Sequence, residues 1–136
     1  MFTSVNSRAA TAYQRVAVKT SVQGADPHHL VTMLYDGLLR SLQLARSAME
    51  RQDVAAKGQA LGKASRILDE GLKAGLNLTE GGELAQNLRN LYVYCTQRLM
   101  QANLRNDLAA VDEVIGLIDP LADSWKKIRN AALLGG

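Results

Sequence analysis

One cysteine, two prolines, one phenylalanine and one tryptophan occur in 136 residues, and aromatic side chains make up only 4% of the chain. A lone cysteine excludes an intramolecular disulfide framework. Two prolines leave long stretches free of the residue that most often breaks a helix. Alternating β-branched runs joined by Asn-Gly or Asp-Gly turns are missing, so a sheet has no signature and the expected fold class is all-α. No apolar run reaches the roughly 18 residues that cross a bilayer, and the opening MFTSVNSRAATAYQR lacks the roughly 7–15-residue apolar block of a signal peptide. The expectation is a cytosolic, cytoplasmic protein with no direct membrane insertion. Charge of one sign is scarce too: sixteen Lys and Arg are dispersed among thirteen Asp and Glu, for a net charge of +3. The densest basic group, Lys126, Lys127 and Arg129, suits the negative end of a helix dipole. Binding of nucleic acid is therefore not expected, and a nucleic-acid-binding helical bundle stands only as the alternative function, recognisable by a steep salt dependence.

What the chain does have, 47% hydrophobic and 21% charged residues, fits one soluble domain with its own core. Its most regular stretch is GGELAQNLRNLYVYCTQRLMQAN, residues 81–103. Leu84, Leu88, Leu91, Cys95, Leu99 and Ala102 recur there at steps of three and four and form one helical stripe. Tyr92, Val93, Met100 and Leu104 lie off that stripe, which predicts a central helix touching more than one neighbour. Cys95, on the stripe, reads as a small buried hydrophobe.

Asp26-Pro27 is a strong helix start, because Asp accepts from an orphan amide and Pro has no N–H to leave unbonded. Leu30, Met33, Leu34, Leu38, Ser41, Leu42, Ala45 and Met49 form the stripe of a helix over 26–51, widened by Val31, Tyr35 and Leu39. His28 and His29 fall in its first turn, about 100° apart, and are expected to be exposed. Gly37 admits a close neighbour. Asp53 caps a second helix over 53–75, with Val54, Leu61, Ala64, Leu68 and Leu72 as its stripe and Ile67 beside it. Gly58, Gly62 and Gly71 each cost about 0.5–1 kcal/mol of helix propensity there. They imply close helix contact, or shallow places where another apolar chain lies.

Asn77 and Gly81-Gly82 mark a turn into the third helix, 83–104, and Asn106-Asp107 a turn into the fourth, 107–131. The fourth carries two stripes. Leu108, Val111, Ile115, Ile118, Ala122 and Trp125 form one; Val114, Leu117, Leu121 and Ile128 form the other. The surplus fits a partner groove or a wide core equally well. Pro120 predicts a kink or local break over 116–120. Residues 1–25 form an arm, either a disordered leader or a turn docked through Tyr13 and Val16, and residues 132–136 a short tail. No constellation supports an enzyme: the pairs Asp69-Glu70 and Asp112-Glu113 are adjacent on helices and point about 100° apart. No cofactor or metal ligand set is present either.

Five blocks in order carry a family resemblance: AYQRV at Ala12–Val16; DPHHLVTMLYDG at Asp26–Gly37; RQDVAAKGQALGKASRILDEGLKAGLNL; GGELAQNLRNLYVYCTQRLMQANLRND, ending at Asp107; and ADSWKKI at Ala122–Ile128. Together they resemble the flagellin export chaperones of bacterial flagella, the FliS family. The resemblance implies an antiparallel four-helix bundle over 26–131. It implies a chaperone that binds the C-terminal segment of flagellin in the cytosol, prevents premature polymerisation and delivers it to a component of the flagellar export gate. It also implies that Tyr13 of the arm or lid covers the apolar site while flagellin is absent. The off-stripe positions Ile67, Val114, Leu117, Leu121 and Ile128, with Tyr13 and Val16, are the expected partner contacts, on a monomer or weak homodimer.

Overall fold

The computed structural model describes residues 26–128. Tyr13, Val16, the rest of the arm and the tail lie outside the described residues. Helix α1 (Pro27–Glu50) opens as its sequence dictates, with the Asp26 carboxylate accepting from His29 N at 2.8 Å and Pro27 in the first turn. Gln52 takes a positive φ of 60° to reverse the chain, and Asp53 caps α2 (Val54–Arg66) by accepting from Ala56 N at 3.1 Å. A π-helical segment, Ile67–Lys73, continues α2. Asn77 Oδ1 then accepts from Thr79 N and Glu80 N, and Gly82, with φ 62°, begins α3 (Gly82–Arg105). Asn106, left-handed at φ 52°, ends α3; Asp107 caps α4 (Leu108–Lys127) by accepting from Ala110 N.

Connections this short force antiparallel neighbours. α1 packs on α2, α2 on α3, α3 on α4, and α4 closes back on α1. The result is an all-α antiparallel four-helix bundle, and the expected helices fall within a few residues of those found. Leu30, Leu34, Leu38 and Leu42 of α1 fill the interior with Leu61, Ala64, Leu68, Cys95, Leu99, Val111 and Ile118.

Several expectations are corrected by the packing. No helix is central, because a ring of four gives each helix two flanking neighbours; α1 buries ten residues and α3 only five. The buried stripe of α3 is Ala85, Tyr92, Cys95, Leu99 and Ala102, whereas Leu84, in the first turn at the bundle end, is exposed. Tyr92 turns inward because Tyr35 waits across the diagonal, their hydroxyls 2.5 Å apart; burial pushes both phenols above their ordinary pKa. Val54 is 73% exposed at the first position of α2. Ile67 and Leu68 are both buried at the start of the π-helical segment, where α1 passes close: a Cβ on Gly37 would lie 3.5 Å from Ile67 Cδ1. Gly71 sits beneath Leu34, whose Cδ2 would lie 3.0 Å from an added Cβ. α4 runs unbroken through Pro120: the proline is exposed, and Ile118, Ala122 and Trp125 hold the opposite face in the core. The described helix ends at Lys127, with Ile128 extended at φ −112°, ψ 158°; the expected stretch 129–131 lies outside the described residues.

Candidate partner-binding surface

Two hydrogen bonds fix how α3 faces α4. Glu113 accepts from Arg98 Nε at 2.7 Å and from Tyr94 OH at 2.5 Å, while Arg98 also donates to Gln101. The Tyr94 hydroxyl first, and Arg98 second, hold the Glu113 carboxyl below its ordinary pKa. Antiparallel pairing carried on from that level, at 3.6 residues per turn, sets Leu84 and Leu91 of α3 beside Leu117 and Leu121 of α4, and Ile128 follows the last turn of α4 at the same end of the bundle. Leu91, Leu117 and Leu121 are half-buried against the core; Leu84 is 49% and Ile128 39% exposed. An apolar seam thus runs from the polar Glu113 cluster to the end of the bundle.

Of the partner positions expected from sequence, Leu117 and Leu121 lie on this seam, and Ile128 lies just past its end. Ile67 and Val114 do not: they are 2% and 0% exposed, Ile67 beneath Gly37 of α1 and Val114 through its position between Val111 and Ile118 on the inward face. Leu84 and Leu91 join the seam although sequence reasoning assigned both to the buried stripe of α3. Val93, Met100 and Leu104 occupy the opposite flank of α3.

Other polar groups are engaged structurally. His28, expected to be exposed, is half-buried: it stacks on Trp125 with ring centroids 4.8 Å apart, its Nε2 lies 2.6 Å from Trp125 O, and Trp125 Nε1 donates to His28 O at 3.0 Å. This clasp ties the start of α1 to the end of α4. At the other end Lys57, 8% exposed, donates to Asn103 O and to Asn106 Oδ1, capping the C-terminus of α3. Asp69 pairs with Lys73 and Asp112 with Arg46, so both carboxylates are committed to ion pairs on outward faces. Burial pushes the Cys95 thiol up to about 11, which keeps it protonated and unreactive. Among the described residues, no helix is long and apolar enough to cross a membrane.

An apolar seam without catalytic groups fits a protein whose work is to hold another chain, and the sequence comparisons decide which kind. The profile of the flagellar protein FliS matches residues 9–132. The chain belongs to the FliS family. It is 52% identical over 121 residues to the flagellar secretion chaperone FliS of Salmonella typhimurium (strain LT2), covering 89% of this chain and 90% of that one. The FliS chaperone of Escherichia coli (strain K12) is 42% identical, with 89% of each chain covered. That of Bacillus subtilis (strain 168) is 37% identical, with 86% and 83% covered. Membership in the FliS family gives this chain a chaperone role and no enzymatic one.

Proposed function

We propose that this protein binds the C-terminal segment of flagellin in the cytosol, prevents its premature polymerisation and delivers it to a component of the flagellar export gate. The supporting observation is the half-open seam of Leu84, Leu91, Leu117 and Leu121, with Ile128 just past its end, on a member of a chaperone family. An amphipathic segment lays its apolar positions along such a seam, as in helix-in-groove recognition. A segment that orders only on binding must offset its lost entropy, so the interface buries on the order of 1,000–3,000 Å² with a negative heat-capacity change. Leu117, Leu121 and Ile128 contact the segment, with Ile67 and Val114 as the core beneath. Tyr13, with Val16, covers the seam while it is empty, and the chaperone works as a monomer or weak homodimer.

Calorimetry with a flagellin C-terminal peptide tests this reading. Binding that weakens in Leu121→Glu and depends little on salt is expected. No binding at tens of micromolar would sink the reading, and a steep salt dependence with nucleic acid in place of peptide would favour the alternative.

A further inference from the structure

The opposite flank of α3 carries a second apolar surface. Met100 is 60% and Leu104 79% exposed, and Val54 at the start of α2 is 73% exposed. The hydrogen bonds of Lys57 to Asn103 and Asn106 set the level at which α2 and α3 pass. Continued at 3.6 residues per turn, that pairing puts Gly58 opposite Leu104 and Gly62 opposite Met100. Neither glycine is there to let α3 approach. A Cβ on Gly58 would meet nothing within 4 Å, and one on Gly62 would meet only the Arg66 guanidinium at 3.7 Å. The surface is therefore an open trough, with exposed apolar side chains as walls and bare backbone as floor.

Cations predominate beside it. The exposed Arg66 and Arg89 flank the trough, whereas Lys57, 8% exposed, uses its ammonium to cap α3, and Asp53 lies beside Val54 and Lys57 at the open end. Residues 1–25 contain Arg8, Arg15 and Lys19 but no Asp or Glu, and residues 129–136 contain Arg129 but no Asp or Glu. Neither segment complements the trough. A second copy of the chain would bring the same cations against it, and like charges across an interface are unfavourable. What remains is another polypeptide. A helix with small or apolar residues along one stripe beds on a glycine floor, and carboxylates beside that stripe meet Arg66 and Arg89.

We propose that the α2–α3 trough is a docking site for an amphipathic, acid-flanked helix of a partner protein, separate from the α3–α4 seam. The test uses two designed helical peptides of about 18 residues, five turns long, with the same leucine stripe and either Glu or Lys on its flanks. The full chain is observed by methyl NMR at Met100 and Leu104. The Glu-flanked peptide should bind about tenfold more tightly and shift the Met100 methyl. Gly62→Leu, which fills the floor, should weaken it about tenfold at unchanged thermal midpoint, and Arg66→Glu should abolish the preference between the peptides. Leu104→Glu, at a site that needs no repacking, should weaken binding even if Gly62→Leu unfolds. Equal affinity for the two peptides, shifts confined to Leu117 and Leu121, or full binding by Leu104→Glu overturns the proposal. Leu121→Glu should leave this binding intact, so failure here and failure of flagellin binding at the seam are read separately.

Discussion

The two seams along α4 are built differently. Towards α1 the seam is pinned, among the described residues, at three places: the His28–Trp125 clasp at one end, Lys126 reaching Asp36 two turns along α1 from His28, and Arg46–Asp112 towards the other end. Towards α3 it is pinned, among the described residues, at one level only, by the Glu113 cluster, and beyond that leucines stand half-open to solvent. Exposed ion pairs contribute little stability individually. Their placement matters more: polar side chains finish the α1–α4 seam as surface, and their absence leaves the α3–α4 seam unfinished. A chaperone needs such an edge, since a bundle closed on every side offers a partner nothing apolar to cover.

The sharpest way to break this comparison is a charge on each side of the line between core and seam. Val114→Glu buries a carboxylate with no partner and should cost more than about 4 kcal/mol, abolishing the cooperative thermal transition. Leu121→Glu, seven residues further along the same flank and half-buried, should keep the transition within a few degrees. If both variants unfold, the seam is core and the proposed flagellin surface lies elsewhere.

Next in size is the tyrosine pair. Tyr92→Phe leaves the Tyr35 hydroxyl buried without its partner and should cost about 1–3 kcal/mol by urea unfolding. Tyr35→Phe with Tyr92→Phe removes both hydroxyls and should recover part of that loss. Additive losses would mean that the hydroxyls act independently.

On the closed seam, His28→Ala removes a ring stack and a hydrogen bond to the last turn of α4, and should cost about 1–2 kcal/mol. Trp125 is the sole tryptophan, so its emission reports the loss of the stacked ring directly. An unchanged spectrum would mean the clasp is not formed in solution. Smaller effects separate the glycines. Gly58→Ala meets open space and should stabilise by about 0.5–1 kcal/mol, whereas Gly71→Ala pushes on Leu34 and should destabilise. If both stabilise, the π-helical turn is not held against α1.

These contrasts also show what was legible in the chain. Caps read directly, because Asp26, Asp53 and Asp107 each act on an amide three residues along their own helix. Core stripes read as far as a regular period allows, and failed where the period changes: over the π-helical segment Ile67, Leu68, Gly71 and Leu72 are all buried, a set that a count of 3.6 residues does not foretell. Pairings across the bundle were hidden. Nothing local to Tyr92 says that Tyr35 will meet it, and His28 and Trp125 are 97 residues apart. The candidate site was half-legible for the same reason: surplus apolar residues on α4 pointed to it, but which of them stay open depends on how α3 lies against α4. Leu84 was misassigned because a stripe does not show where the bundle ends.

The smallest expected effect concerns the single pin of the open seam. Glu113 keeps a folded-state carboxyl pKa below its ordinary value because Tyr94 and Arg98 bond its charged form. A depressed carboxyl contributes stability that is fully present above the ordinary carboxylate range and is lost as pH falls through the folded value. Glu113→Gln should therefore be slightly less stable than the parent at neutral pH, and the gap should close on acidification below about pH 4. Because the cluster is exposed, the gap should also shrink as salt is raised. Thermal midpoints of the two proteins over pH 3–7 decide it. A gap independent of pH would mean that Glu113 acts by packing and that the α3–α4 seam has no electrostatic pin at all, leaving α3 free to shift against α4 when a partner enters.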